Sequence, residues 1–297
     1  MNQHAPTTQD FLSSVRQTIF STLEDTLLNR NSEIDLEPLV SGKMLRAQLL
    51  HTLGCASGLP RENQIAAAAA VEMLHAASLL HDDVVDEGKL RRGAPALWVT
   101  HGPKVAVLTG DMLLSLAFST IAEIHPHAVP ALSQTLRSMC EAEIEQESRT
   151  KEEAMSLDDC IRIASGKTGS LFGFSAYAAA PSPSPAADAL MTAGTQLGIA
   201  YQLADDLLDL RTNESVAGKT LGTDAASGKY TVANIVSNSG QSPKTFIQPI
   251  LDQALQELEN WPKLQKALGD YIHETLQPLM DTYYSAEENS NAALAQH

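Results

Sequence analysis

Two short acidic segments carry the residue types that bind divalent cations. "HDDVVD" ends at Asp86 and "ADDLLD" ends at Asp209, and each has the pattern Asp-Asp-x-x-Asp behind an apolar run. Residues four apart on a helix lie on one face, so Asp82 points the same way as Asp86. By the same spacing, Asp205 points the same way as Asp209. Like charges so placed repel each other, whereas Mg²⁺ is commonly held by one or two carboxylates together with substrate phosphates. The two segments therefore predict a site for several Mg²⁺ ions around one diphosphate.

Basic residues stand beside glycines and beside the acidic segments, where they could complete an anion site. A diphosphate carries more negative charge than its metal ions cancel, so protein cations are needed as well. Guanidinium groups grip phosphate oxygens bidentately, and glycine lets backbone approach an anion closely. Only 20 Lys and Arg residues are present, so their placement here is biased. The residues concerned are Lys43, Arg46, Arg91, Arg92, Lys167, Lys219 and Lys229, with Thr168 next to Lys167.

Helical spacing suggests two further placements. In "GKMLR", Lys43 and Arg46 are three residues apart, so we expect both on one face of a helix. His75 precedes His81 by six residues on the helix that leads to the first acidic segment. A histidine on an apolar helix is usually a core residue. This one lies below the aspartates, so contact with a phosphate is the alternative interpretation.

The elements that must position these groups are predicted to be helices. Apolar residues recur every four positions from Phe11 to Leu27, and the alanine-rich block Ile65 to Leu80 favours helix. "HPHAVP" and "PSPSP" mark helix–helix connections, and no series of alternating strands is found. We predict a single all-α domain over residues 1–297, of about ten or more helices. Residues 1–8 and 286–297 are predicted to be flexible tails.

Composition narrows the classes of partner. The net charge of −16 excludes a basic nucleic-acid-binding surface and gives no attraction to anionic membranes. No apolar stretch approaches the roughly 20 residues that span a bilayer, so stable membrane insertion is not expected. Cys55, Cys140 and Cys160 form no CxxC pair and are expected to be small buried hydrophobes. A reducing, cytoplasmic setting is predicted.

The order of these motifs resembles that of the trans-isoprenyl diphosphate synthases, the polyprenyl synthetase family. GKxxR, LLHDDxxD, RRG, GD, GKTG, QxxDDxxD and GKxT follow one another between about Gly42 and Thr231. Each motif alone is weak, but their order and spacing are specific. The resemblance implies an isoprenoid-synthase helical bundle around a central active-site cavity, and a homodimer. It also implies Mg²⁺-dependent transfer of an allylic prenyl group to isopentenyl diphosphate.

The resemblance also assigns roles to individual residues. Metal binding on the allylic diphosphate is assigned to Asp82, Asp86, Asp205 and Asp209, with Asp83 and Asp206 completing the two clusters. Binding of that diphosphate is assigned to Arg91, Lys167, Thr168, Gln202, Lys219 and Lys229. Binding of isopentenyl diphosphate is assigned to Lys43, Arg46, His75 and Arg92. The aspartates, Lys167 and Lys219 are thereby expected to be the catalytic groups.

The sequence departs from the family pattern in two places. Many members read GKRxRP, where this chain has "GKMLRA", with Met44 in place of an arginine and Ala47 in place of a proline. "CEAEIEQ" has Ala142 where glycine is common, while Glu143 and Gln146 are retained. Since Lys43 and Arg46 remain, activity is expected to persist.

Product length is predicted from the helix that precedes Asp82. Short-chain members often carry an aromatic residue four or five positions before this aspartate, where this chain has the small residues Ser78 and Ala77. A medium- or long-chain polyprenyl product, such as a quinone side chain, is therefore expected. Met73 and Phe118 could close the tunnel lower down. A short-chain farnesyl or geranylgeranyl diphosphate synthase is the alternative.

Two other functions share parts of the pattern. A terpene cyclase has a first DDxxD but would not need the cations for a second substrate, and its second metal motif usually differs. A regulatory subunit of a heteromeric synthase tends to lose aspartates or arginines from these motifs, whereas this chain keeps them.

Overall fold

Helices account for nearly all of the ordered secondary structure in the computed structural model, which describes residues 7–27, 37–149, 155–209 and 243–281. The N-terminal helices are α1 (Thr8–Leu27), α2 (Glu37–Val40), α3 (Leu45–Ser57) and α4 (Arg61–Val85). The middle helices are α5 (Leu97–His101), α6 (Pro103–Ile124), α7 (Val129–Ser148), α8 (Leu157–Ala164) and α9 (Ser170–Tyr177). The last ones are α10 (Pro185–Asp209), α11 (Pro243–Gln256) and α12 (Pro262–Tyr271). The predicted all-α fold is confirmed.

Several short elements interrupt this helical pattern. A two-stranded antiparallel hairpin, β1 (Leu90–Arg91) and β2 (Ala94–Pro95), follows α4. A 3₁₀ turn (Pro126–Ala128) joins α6 to α7 at the predicted "HPHAVP" corner. "PSPSP" separates α9 from α10, again as predicted. One π-helical turn, Ser165–Gly169, joins α8 to α9, and another, Ile272–Leu276, follows α12.

The two helices that end in acidic segments are the longest in the described part of the chain. Each has 25 residues, and alanines 67–70 of α4 are fully buried in the core. Helix α10 packs closely on the segment that carries Lys167, because a Cβ at Gly198 would lie only 2.7 Å from the Gly169 Cα. This contact brings the second acidic segment next to the π-turn.

Two predictions made from composition are wrong. Helix α6 has 22 residues, and 18 consecutive residues of it have a mean hydropathy of 1.7, so it is long and apolar enough to cross a membrane by length and composition. The expectation that no apolar stretch approaches this length is therefore wrong, whereas the absence of stable membrane insertion stays a prediction. Core helices pass the same test, and α6 buries Leu113, Ala117 and Ile121. Among the cysteines only Cys160 is buried, because Cys55 and Cys140 lie on the outer faces of their helices.

The predicted tails fall almost wholly outside the described residues. Residues 1–6 and 282–297 are not described, and helix α1 begins at Thr8, within the segment predicted to be a tail. Most of the buried hydrophobic side chains of the described residues form one cluster. The single domain over residues 1–297 stays a prediction.

Candidate active site

The first acidic segment lies at the C-terminal end of α4. The helix ends at Val85, and Asp86 follows it as the C-cap, with its N–H donating to the Asp82 carbonyl at 2.8 Å. Asp82 and Asp86 are therefore one helical turn apart, as predicted. The C-terminus of a helix carries partial negative charge, which disfavours further carboxylates unless a cation is bound.

The pKa of Asp82 reflects first its burial and then the neighbouring carboxylates. Burial raises the pKa of its carboxyl to about 6, with Glu143 and Asp86 adding to the rise and Lys167 opposing it. A carboxyl with such a pKa gains strongly from a nearby cation. Asp82 therefore lies where a metal ion would be stabilising.

Helix α7 adds two carboxylates to this group. Carboxylate oxygens of Asp86, Glu143 and Glu147 lie within 4.8 Å of one another. Hard divalent cations such as Mg²⁺ prefer carboxylate oxygens, so this donor set fits the implied metal. Neither Glu143, which is retained in the family pattern, nor Glu147 was predicted to bind a metal ion. Their spacing of four residues on α7 was the available signal.

Lys167 projects from the π-turn toward the same carboxylates. Its ammonium lies 2.6 Å from Glu143 Oε2 and donates to Gln146 Oε1 at 3.1 Å. A Cβ at Gly166 would lie 2.6 Å from the Ala142 Cβ, so glycine is required there for the turn to approach α7. Single π-turns inside helices occur frequently at functional sites. Lys167 thus joins the first acidic segment, as predicted.

The second acidic segment is linked to the π-turn by a relay of hydrogen bonds. The Thr168 hydroxyl donates to Gln202 Oε1, and Gln202 Nε2 donates to Asp206 Oδ1 at 2.7 Å. Asp205 is half-buried next to them. The predicted neighbourhood of Thr168, Gln202 and Asp206 is therefore present in the structure. The Asp209 side chain and the whole of Lys219 and Lys229 lie outside the described residues.

A second group of cations lies beside α4, around the buried carboxylate of Glu72. Arg46 and Arg92 both act on Glu72 electrostatically and oppose the rise in its pKa that burial causes. The Arg46 guanidinium lies over the Phe172 ring, 4.7 Å from its centroid, and its Nε is buried without a hydrogen-bond partner among the described residues. A buried donor of this kind suits an anionic ligand.

Two neighbours fix Arg92. Its Nη1 donates to the Pro38 carbonyl at 2.9 Å. A Cβ at Gly42 would lie 2.8 Å from the guanidinium, so only glycine leaves room for it. The glycine of the first motif therefore makes space for an arginine that lies fifty residues further along the chain.

The predicted helical face shared by Lys43 and Arg46 is wrong. Helix α3 begins at Leu45, and its N-cap Met44 has a left-handed backbone with φ 49° and ψ 46°. Lys43 therefore precedes the helix and is exposed. This turn could not be predicted from the residue types, because left-handed backbone is uncommon for residues other than glycine.

His75 lies one helical turn beyond Glu72. Burial lowers the pKa of His75 well below its ordinary value, and the charges of Arg46, Arg92 and Arg91 lower it further. His75 is therefore neutral at neutral pH. It can contribute one N–H donor to a phosphate without adding repulsion to the neighbouring guanidiniums.

Arg91 and Asp83 are paired with each other in the structure. Arg91 donates to Asp83 Oδ1 from Nε at 2.9 Å and also from Nη2. Asp83 is 2% exposed, and both residues line a cavity of about 190 Å³ together with Leu80 and Pro95 of the hairpin. Their predicted roles at the allylic diphosphate stay predictions, and the structure shows an ion pair that anchors the hairpin to α4.

The residues predicted to control chain length lie along α4 and α6. Ala77 and Met73 are buried, whereas Ser78 and Phe118 are half-buried. The Ser78 hydroxyl donates to the His75 carbonyl at 2.9 Å, which turns it back onto its own helix. Neither of the positions four and five residues before Asp82 carries an aromatic side chain, because they are Ser78 and Ala77.

These features define a class of protein. It is an all-helical bundle in which two acidic helix ends flank Lys167, and a separate group of arginines, Arg46 and Arg92, lies beside them. Residues 34–268 match the polyprenyl synthetase family. The chain belongs to that family.

Curated relatives have several product lengths in their names. A (2E,6E)-farnesyl diphosphate synthase of Mycobacterium tuberculosis is 33% identical over 224 residues, covering 71% of this chain and 62% of the relative. A nonaprenyl diphosphate synthase of the same species is 32% identical, covering 71% of this chain and 65% of the relative. A geranylgeranyl diphosphate synthase of Methanosarcina mazei is 31% identical, covering 71% and 74%. The chain thus spans less than two thirds of the length of the first two relatives.

Solved structures share the fold. A polyprenyl synthase of Caulobacter crescentus CB15, complexed with calcium and isoprenyl diphosphate, has a TM-score of 0.66 and 28% identity, covering 99% of this chain and 93% of its own. A geranyltranstransferase of Thermotoga maritima has a TM-score of 0.70 and 24% identity, covering 91% and 99%. The helical bundle expected from the resemblance is therefore confirmed.

Proposed function

We propose that this protein is a prenyltransferase that condenses isopentenyl diphosphate with an allylic diphosphate in a Mg²⁺-dependent, trans, head-to-tail reaction. One observation carries the proposal. The structure brings Asp82, Asp86 and Glu143 close to Lys167 beside the end of α4, and it brings His75 close to Arg46 and Arg92 in a second group. Two diphosphates of different roles need two anion sites, of which only the one that ionises needs metal.

The acidic group would hold the allylic diphosphate through metal ions. Asp82, Asp86 and Asp205 would be ligands, with Glu143 and Glu147 close enough to contribute. Bound Mg²⁺ supplies positive charge that stabilises the departing diphosphate. Lys167 would donate hydrogen bonds to the same oxygens, which lowers the barrier to breaking the allylic C–O bond.

The second group, which consists of Arg46, His75 and Arg92, would hold isopentenyl diphosphate. Arg46 and Arg92 can each donate two hydrogen bonds to diphosphate oxygens, and neutral His75 can donate one. The isopentenyl double bond would then attack the allylic carbon from which diphosphate has departed, and the adduct would lose a proton to the released diphosphate. The buried apolar residues of α4, among them Ala77 and Leu74, would keep water away from the carbocation.

For the product, we propose a medium- or long-chain polyprenyl diphosphate. Relatives named for farnesyl, geranylgeranyl, octaprenyl and nonaprenyl products match at 31–33% identity, so they favour no length. The proposal therefore rests on the small side chains of Ala77 and Ser78, which leave the path below Asp82 without an aromatic block. A short-chain product is the alternative.

We also propose a cytoplasmic homodimer. Helix α6 is only one third buried, and Leu108 on its outer face is 68% exposed. Val99 of α5 and Val107 lie exposed near it. A second copy packed on this face would remove these side chains from water, at about 25 cal/mol per Å².

The direct test is incubation of the purified protein with labelled isopentenyl diphosphate, Mg²⁺ and geranyl, farnesyl or geranylgeranyl diphosphate. We expect elongation that stops when Mg²⁺ is chelated, with products longer than geranylgeranyl diphosphate after chromatography. Products that end at farnesyl or geranylgeranyl diphosphate would establish the short-chain alternative. No elongation with any primer would contradict the proposal and favour a regulatory subunit.

A further inference from the structure

The first turn of α3, which carries Arg46, is held by side chains from outside the helix. The Tyr271 hydroxyl of α12 donates to the Leu45 carbonyl at 2.9 Å. The Ser175 hydroxyl of α9 donates to the Arg46 carbonyl at 3.1 Å. Two consecutive carbonyls of this turn are thus bonded to two different helices, and Tyr271 lies 226 residues away from its partner in sequence.

A third side chain holds the next residue. The Ala47 N–H donates to Glu72 Oε1 of α4 at 3.0 Å. The first N–H groups of a helix have no partner within the helix, and a side chain at the N-cap usually accepts from one of them. Here the N-cap is Met44, which makes no side-chain cap, so the carboxylate of Glu72 takes that part. Its negative charge also suits the positive end of the helix.

All three holding side chains are removed from water. Ser175 is fully buried, Tyr271 is 2% exposed and Glu72 is 8% exposed. Hydrogen bonds in such surroundings do not exchange with water, so they fix the backbone more rigidly than exposed ones. A helix needs no such bonds to its first turn merely to exist. Their concentration on residues 45–47 therefore requires an explanation.

The side chain on this turn supplies the explanation. Arg46 carries the buried Nε that has no partner among the described residues, and its guanidinium already lies over Phe172. Ionic contacts with a diphosphate depend steeply on placement, because bidentate hydrogen bonds tolerate little displacement. A backbone fixed at three consecutive residues leaves the arginine only its own side-chain torsions.

We propose that Glu72, Ser175 and Tyr271 are positioning residues, which fix the first turn of α3 so that Arg46 is preplaced for the diphosphate of isopentenyl diphosphate. This inference rests on the proposed function. It predicts that loss of one hydroxyl, which acts on the substrate only through the backbone at Arg46, weakens the binding of one substrate only.

The test uses Tyr271→Phe and Ser175→Ala, each of which removes a single hydroxyl. Initial rates are measured by varying isopentenyl diphosphate at saturating allylic primer, and then the reverse. We expect the KM for isopentenyl diphosphate to rise about threefold to tenfold, the effect of one lost hydrogen bond, while the KM for the primer stays within about twofold. Equilibrium dialysis with labelled isopentenyl diphosphate should show the same loss of affinity.

Two controls separate positioning from general loss of structure. Tyr177→Phe removes a hydroxyl from another buried tyrosine, which makes no bond to this turn, and should leave both KM values unchanged. In an Arg46→Gln background, adding Tyr271→Phe should cause no further loss of affinity in dialysis, because residues that act through one another are not additive.

Three outcomes would overturn the inference while leaving the proposed function intact. They are unchanged affinity in both variants, equal losses for the two substrates, and a further loss in the Arg46→Gln background. A wild-type protein that elongates no primer would overturn the proposed function, and this inference with it.

Discussion

The ammonium of Lys167 lies 2.6 Å from the Glu143 carboxylate, an ion pair that joins the π-turn to α7 beside the end of α4. The two side chains are 28% and 21% exposed, so water screens the pair only in part. Glu143 also belongs to the group that could bind a metal ion. Lys167 therefore neutralises part of the negative charge of the acidic site when no metal is bound. A diphosphate with its metal ions would replace this ion pair, because Lys167 would then bind the diphosphate and Glu143 would bind a metal ion.

Replacement of Lys167 should lower the catalytic rate while the protein still folds. Lys167→Ala removes the donor that would face the departing diphosphate, so kcat should fall about 100-fold or more. Lys266→Ala is a matched control, because this lysine is 75% exposed and pairs only with Asp270 on its own helix. Steady-state kinetics check both variants, and a Lys167→Ala enzyme with unchanged kcat would contradict the role assigned to this residue.

Asp82 should lower the stability of the metal-free protein. Burial raises the pKa of Asp82 from its ordinary value of 3.8 to about 6 in the folded protein, so the folded protein disfavours the charged form. The contribution to stability is therefore fully present below the unfolded pKa and is lost as pH rises through about 6. In chelating buffer at neutral pH, Asp82→Asn should raise the free energy of unfolding by about 1 to 2 kcal/mol.

The same substitution should abolish elongation, because an amide is a poor ligand for Mg²⁺. Denaturant unfolding at several pH values, with kinetics in parallel, measures both effects. At pH values below the unfolded pKa, wild type and variant should converge in stability. A variant that is less stable than wild type at neutral pH without metal would contradict the burial argument.

Metal binding should be visible as a change in thermal stability. Mg²⁺ with inorganic diphosphate should raise the melting temperature of the wild-type protein, because a ligand that binds only the folded state stabilises it. Asp86→Ala should remove most of this rise, whereas Asp188→Asn, at an exposed position of α10, should retain it. Thermal unfolding followed by fluorescence gives the comparison. An equal rise in both variants would place the metal elsewhere.

Product length should respond to Ala77. Ala77→Tyr puts a ring on the buried face of α4 five residues before Asp82, so chromatography of radiolabelled products should show shorter chains. Overpacking at a fully buried position costs about 1 to 3 kcal/mol, so Ser78→Phe, at a half-buried position, is made as well. Unchanged product length in both variants would sink the idea that this part of α4 limits the chain.

The proposed homodimer can be tested on the outer face of α6. Leu108→Glu places a charge at a residue that is 68% exposed in the single chain, and it should shift sedimentation toward the monomer. Ile144→Glu is the control, because Ile144 of α7 is also 68% exposed but lies on a different helix. Monomeric wild-type protein, or a dimer that withstands Leu108→Glu, would argue against this interface.

The sequence predicted the parts of the site that depend on local spacing. Asp82 and Asp86 lie one turn apart because helical periodicity continues to the end of α4, and the lysine of "GKTG" reaches the acidic group. Local pattern could not predict the left-handed Met44, because nothing in its neighbours marks a positive φ. The Asp83–Arg91 ion pair could not be predicted, because an aspartate and an arginine in one segment can either pair with each other or each bind a different ligand.

Contacts between residues far apart in the chain could not be predicted, because they depend on how the helices pack. Glu147 meets Asp86 only because α7 packs next to the end of α4, and its sequence context is that of an ordinary solvated glutamate. Glu72 accepts a hydrogen bond from the Ala47 N–H, 25 residues earlier, and nothing in the sequence around either residue indicates that they meet. One sequence records which residues are present but not which of the distant ones meet.

The bond between Tyr271 and the Leu45 carbonyl has a consequence for how the protein is made. A chain that leaves the ribosome from its N-terminus presents α3 and α4 long before α12 exists. The turn that carries Arg46 therefore lacks this hydrogen bond until Tyr271, 226 residues after Leu45, has been synthesised. A copy cut short before residue 271 would lack the hydrogen bond to the Leu45 carbonyl, so we expect its Arg46 to be held less firmly than that of the longer chain.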